Sequence, residues 1–306
     1  MDSSAIIFNQ VLILFFIMVI GFIAKKCSII NESVSKKLSE LLLKITSPLL
    51  VISSFQVDFT REILNNVMIV FAFSIAAHII SIFLGMILFT KAGSEAKKKV
   101  MKFSAIYSNC AFMGFPLLES VFGKSGVLYG SVYVAAFNIF LWTNGVMIFS
   151  SNEKIDRHTI KKVLLNPGIV SVIIGIIIFI FSVKLPGPAA EAIELVGSMT
   201  VPLSMLIIGA TIADCEFKEL FKGWDLYYAS AVRLILMPVL AFAVLKLLGI
   251  SDMLLQVCVL LVAMPVAATT AIFAELYDGD SIFASRVVVL STLASIITIP
   301  LLMMLI

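Results

Sequence analysis

The chain has 306 residues, of which 61% are hydrophobic and only 13% charged, with a formal net charge of +3. A soluble chain would carry roughly a quarter charged residues, and with a mean hydropathy of +1.12 this one is excluded from that class. Cys27, Cys110, Cys215 and Cys258 are scattered, with no CxxC or His-adjacent spacing, so neither a disulfide framework nor a metal site is indicated.

Apolar stretches long enough to cross a bilayer, about 18 residues or more, recur from end to end. The expected spans are roughly 6–24, 36–56, 64–90, 101–121, 125–150, 168–184, 189–212, 226–248, 253–274 and 281–305. The first is preceded by Asp2 and followed by Lys25 and Lys26, the reverse of a signal peptide, so it reads as a span rather than a cleaved leader. The longest polar connection, Ser150 to Asn166, falls mid-chain and reads as the link between two five-helix halves.

Orientation follows from the basic residues. Odd-numbered loops hold Lys25, Lys26, Lys36 and Lys37, then Lys91, Lys97, Lys98, Lys99 and Lys102, then Lys154, Arg157, Lys161 and Lys162, then Lys218 and Lys222. Even-numbered loops hold only Arg61, Lys124, Lys184 and Lys246. The positive-inside rule puts the odd loops in the cytoplasm and both termini outside the plasma membrane.

With an odd number of spans per half, the second half enters the membrane inverted relative to the first, an arrangement used by secondary transporters. Thr46-Ser47-Pro48-Leu49 in span 2 matches Thr200-Val201-Pro202-Leu203 in span 7, and Pro116 in span 4 matches Pro265 in span 9, at offsets of 154 and 149 residues. The expected fold is therefore all-α, polytopic, with ten transmembrane helices in two inverted repeats and with helices 4 and 9 broken.

The breaks are the chemically informative stretches. Pro116 and Pro265 each remove a backbone donor and crowd the preceding turn, at about 3 kcal/mol or more in a helix interior. In hydrocarbon, freed carbonyls survive only beside protein or a wet cavity. Gly114 allows close backbone approach, and Pro116 suits the first turn of a new half-helix. Thr269 and Thr270 follow Pro265 and add hydroxyl donors. Two half-helix N-termini, with unpaired amides and positive dipole ends, form a natural place for a carboxylate. Asn109 either serves that site or bonds a neighbouring helix.

Other polar residues inside spans are candidates by default. His78 in span 3 relays protons or bonds a neighbour. Lys44 and Arg233, and Arg286 early in span 10, either snorkel to headgroups or face a cavity as counter-ions. Glu119 and Glu275 are expected at membrane surfaces. Ser291, Thr292, Ser295 and Thr298 form a polar stripe that lines a cavity or packs helices closely. Asn138, Trp142 and Asn144 are candidate cavity walls.

The pattern Asn109-x4-Gly114-x-Pro116-Leu117, then Met264-Pro265-x3-Thr269-Thr270-x-Ile272-x-Ala274 with Tyr277, resembles the auxin efflux carrier family, and the resemblance spans essentially the whole chain. That family includes plant auxin exporters and bacterial carriers for malate and malonate. The long cytoplasmic loop of many plant members is missing. The resemblance implies a fold related to sodium/proton antiporters and bile-acid symporters. It implies a scaffold of 1–56 and 168–215 carrying a homodimer contact, a transport domain of 57–150 and 216–306, and a cytoplasmic linker of 151–167. It further implies that Asn109 contacts the substrate carboxylate and that transport is of the elevator type.

Absences narrow the function. No Asp or Glu lies between Ser104 and Leu118 or between Leu260 and Ala274, so cation exchange is disfavoured. There is no HExxH, no paired-Asp motif and no GxxxxGK[ST] loop, which speaks against an intramembrane enzyme and a primary pump. Nothing suggests a nucleic-acid partner or a cofactor. The expected function is secondary transport of a small organic anion, such as an auxin-like monocarboxylate, malate or malonate. The alternative is a sodium-coupled symporter of the bile-acid type. Membrane lipid and a second copy of the chain are the expected partners.

Overall fold

The computed structural model describes residues 3–90, 93–149, 161, 164–214, 221–277 and 279–306, with side chains from residue 9 onward. The linker expected over 151–167 lies largely outside the described residues. All regular structure among them is helical; two extended stretches meet in a single antiparallel bridge, Ser108 with Val266.

The helices are α1 (Ser3–Lys26), α2 (Glu32–Leu41), α3 (Ser47–Ser54), α4 (Arg61–Leu88), α5 (Glu95–Ile106), α6 (Phe115–Phe140), α7 (Val146–Phe149), α8 (Pro167–Ile180), α9 (Gly187–Ser198), α10 (Thr200–Ala213), α11 (Trp224–Ala231), α12 (Met237–Leu247), α13 (Asp252–Ala263), α14 (Thr269–Leu276) and α15 (Ser281–Met303). Among the described residues, six helical runs are long and apolar enough to cross a bilayer: Asn9–Lys26, Arg61–Leu88, Cys110–Phe149, Gly187–Ala213, Trp224–Leu247 and Ser281–Met303. Pro167–Ile180 and Asp252–Ala263 are apolar but shorter. The protein is thus a multi-pass helical membrane protein. Expected spans 4 and 5 join in the Cys110–Phe149 run; Gly123 (φ 60°) supplies the turn between them, a backbone conformation that an L side chain resists.

Among the described residues, four π turns interrupt these helices, at Leu42–Thr46, Cys110–Gly114, Leu141–Gly145 and Val232–Leu236. Three of them are followed two residues later by a proline: Pro48, Pro116 and Pro238. A proline ring clashes with the carbonyl four residues back. Here that carbonyl belongs to Lys44, Phe112 or Leu234, inside the π turn, where wider winding relieves the clash without breaking the helix.

The chain divides into two compact units. The first comprises Met1–Phe71, Ala111–Asn138 and Lys161–Asp214. Within it α1 packs along α10, and α3 packs against α8 and α9. Gly209 lies so close to the backbone of Met18 that a Cβ there would collide with it. Such contact between small residues and backbone favours association where lipid offers no hydrophobic drive. Asn166 caps α8, its Oδ1 accepting from the N–H groups of Gly168 and Ile169.

The second unit comprises Ala72–Cys110, Ile139–Ile160 and Cys215–Ile306. In it α12 packs on α13, and α15 contacts α11, α13 and α14. Phe103 anchors an aromatic cluster, with ring centroids 4.4 Å from Tyr107, 5.3 Å from Phe149 and 5.1 Å from Phe273. The two extended stretches meet in this unit.

Candidate substrate site at the helix crossing

α5 ends at Ile106, and Tyr107 leaves the helical region at φ −102°, ψ 107°. α13 ends at Ala263, and Met264, just before Pro265, sits at φ −57°, ψ 145°, the extended conformation that a following proline imposes. The exposed backbone groups then satisfy one another. Asn109 N–H donates to the Pro265 carbonyl at 2.7 Å, and Ala267 N–H donates to the Tyr107 carbonyl at 3.0 Å. The crossing is therefore a short antiparallel ladder, which answers the demand that backbone polar groups in hydrocarbon find partners.

Side chains pin the ladder. Ser108 Oγ donates to the Leu261 carbonyl at 2.9 Å. Ser291 Oγ accepts from Val266 N–H at 3.1 Å and donates to the Val288 carbonyl at 3.0 Å. Tyr107 Oη lies 2.8 Å from the Phe140 carbonyl and 3.1 Å from Asn144 Oδ1.

Arg233 sits where the two first half-helices end. Its side chain, 1% exposed, donates from Nη1 to the carbonyls of Ala105 (2.8 Å) and Ile106 (3.4 Å) and from Nη2 to the carbonyl of Val262. Each helix C-terminus carries roughly half a negative charge. One guanidinium thus balances two helix ends and bonds carbonyls that have no intrahelical partner. Burial rules out snorkelling for this residue.

Beyond the crossing the chain re-enters helix, with Thr270 N–H donating to the Ala267 carbonyl at 2.9 Å. Asn109 is buried and leads directly into the Cys110–Gly114 π turn. α14 starts at Thr269 with no side-chain cap, and the hydroxyls of Thr269 and Thr270 are buried without a partner among the described residues. The start of α14 offers a positive dipole end, together with hydroxyls that can turn toward a ligand.

The other candidates divide between the units. His78 is in the second: its Nδ1 lies 2.7 Å from the Ser74 carbonyl, and its ring stacks on Phe140 with centroids 5.0 Å apart and planes 5° apart. Arg286 is also there, but its Nη2 donates to the Lys222 carbonyl, tying a loop rather than the crossing. Gly114, Pro116, Asn138 and Lys44 belong to the first unit. Pro116 lies in the first turn of α6, so the interruption precedes it, at Tyr107–Asn109 rather than at the proline. Asn138 donates to the Val134 carbonyl and accepts from Asn166. Lys44 is exposed on a π turn between exposed Leu43 and Ile45. Glu119 is half-buried in α6, its Oε2 without a hydrogen-bond partner among the described residues.

Reading from sequence missed Ser108 and Tyr107, which hold the crossing. The signal present was their adjacency to Asn109 in a polar Tyr-Ser-Asn triplet within an apolar run.

Interrupted apolar helices meeting in a buried polar crossing mark a membrane transport protein. The comparisons narrow the class to a family: the model described as membrane transport protein matches residues 6–303, and the chain belongs to that family, the auxin efflux carriers. It is 24% identical over 310 residues to an uncharacterized transporter of Methanocaldococcus jannaschii and 21% identical over 296 residues to one of Methanothermobacter thermautotrophicus, each match covering 96% of both chains. It is 24% identical over 220 residues to a Rhizobium meliloti protein named "Putative malonate transporter", covering 69% of this chain and 68% of that one.

Proposed function

We propose that this protein is a secondary transporter of small carboxylates, with its binding site at the crossing of the two interrupted helices. The observation that carries the reading is the asymmetry of charge there. Arg233 neutralises the carbonyl ends of α5 and α13, while the segments running through the crossing, Ser104–Leu118 and Leu260–Ala274, contain no Asp or Glu. An anion complements the positive end of α14 and a bare cation does not. In this reading Asn109 donates to the carboxylate, Thr269 and Thr270 supply hydroxyls, and Ser291 holds the strand that presents them. The kinship with a protein named for malonate favours short mono- and dicarboxylates.

The finer architecture belongs to the same proposal: ten spans in inverted repeats, and a transport domain of spans 3–5 and 8–10. That domain moves against a dimeric scaffold of spans 1, 2, 6 and 7, in elevator-type alternating access. The test is uptake by proteoliposomes of a panel containing malonate, malate and indole-3-acetate, with and without a sodium gradient. Saturable uptake of at least one acid supports the proposal. Uptake of none, with protein correctly folded, refutes it, and strict sodium dependence moves the assignment to the symporter type.

A further inference from the structure

A cavity of about 310 Å³ opens in the second unit and reaches Ile106 and Asn144, which adjoin the crossing at Tyr107. Its walls come from the last turns of α4 (Ile82, Met86), from α5 (Glu95, Lys98, Lys99, Lys102 and, at its end, Ile106) and from the region around α7 (Asn144, Met147). The lining has two chemistries. Met86 and Met147 are each more than half exposed and carry the apolar side, whereas the α5 face carries lysines.

The lysines differ in what they already hold. Lys98 pairs with Glu95 at 2.6 Å, which keeps the exposed Glu95 carboxyl below the usual carboxylate range and cancels one positive charge. Lys99 donates one of its three protons to the Phe149 carbonyl at 2.6 Å. Lys102 is half-buried, with no hydrogen bond or ion pair among the described residues. Two net positive charges thus face a cavity whose other side is oily. All three elements meet it at span ends, the depth of a bilayer's headgroups.

We infer that this cavity holds the anionic headgroup of a membrane lipid, with a phosphate between Lys99 and Lys102 and an acyl chain along Met86 and Met147. Malonate, malate or free phosphate would gain nothing from the methionine side, and a zwitterionic lipid would bring its own cation to the lysines. Basic pockets between spans on the cytoplasmic side are the usual place for acidic headgroups. The inference rests on the proposed span reading, not on the substrate, so its failure leaves the carboxylate assignment untouched.

The experiment is native mass spectrometry of the full chain with phosphatidylglycerol or phosphatidylcholine of matched acyl chains. The wild type should retain phosphatidylglycerol in preference. Lys102→Gln should weaken that retention about fivefold, and Lys99→Gln/Lys102→Gln should abolish the preference. Lys36→Gln/Lys37→Gln, which changes the charge by the same amount on exposed α2, should leave it intact and so controls for net charge. Equal retention of both lipids by the wild type, or undiminished preference in the lysine variants, overturns the inference. Displacement of the lipid by millimolar inorganic phosphate or malonate also overturns it, reassigning the cavity to a soluble anion. If the double variant does not fold, Lys102→Gln alone decides.

Discussion

The two interrupted segments solve the same problem by different means. In the α13–α14 segment, Pro265 lies in the break itself: it forces Met264 into extended backbone, needs no hydrogen-bond acceptor, and gives its carbonyl to Asn109. In the α5–α6 segment the break is at Tyr107–Asn109, and Pro116 lies beyond it in helix, accommodated by the Cys110–Gly114 π turn. Proline content alone therefore does not locate an interruption. What stabilises extended backbone at both places is the partner strand, pinned by Ser108 and Ser291, with Arg233 closing the helix ends.

The comparison ranks the residues by consequence. Arg233→Ala leaves three buried carbonyls on two helix ends without their donor, and a loss of about 3 kcal/mol or more is expected. It should appear as the largest fall in melting temperature of the purified protein, with Arg233→Lys in between because an ammonium cannot fork to both ends. If Arg233→Ala melts with the wild type, the helix ends do not depend on it.

Pro265→Ala lets α13 extend toward the ladder, and uptake should fall by about tenfold or more through misplaced donors. Pro116→Ala removes a proline that already sits in helix, so its effect should stay within about threefold. Equal losses in the two variants would erase the distinction drawn between the segments. Ser291→Ala unpairs one buried N–H, at a cost of about 1–2 kcal/mol. A melting temperature lowered by Ser291→Ala but restored in Ser291→Thr would mark the hydroxyl as the operative group.

Much of this was legible before any coordinates. Composition alone excludes a soluble protein, and Asn109 with Pro265 picked out the two segments that pair through the Asn109 N–H and the Pro265 carbonyl. What could not be read was partnership. A lone Arg233 in an apolar run is equally consistent with snorkelling and with burial, because its three acceptors come from residues 105, 106 and 262, far away in the chain. The partnership of Asn138 with Asn166 was hidden for the same reason: Asn166 precedes an element whose packing no local pattern encodes. The π turns were equally invisible, since winding responds to a proline several residues on and to tertiary packing together.

The central claim is that the amide side of the crossing binds a carboxylate through Asn109. Isothermal titration of purified wild type and Asn109→Ala with malonate, malate and indole-3-acetate tests it most directly. The account predicts that the best-bound acid loses about tenfold or more in affinity in the variant, with the melting temperature in the absence of ligand nearly unchanged. Unchanged affinity for every acid that the wild type binds would contradict it.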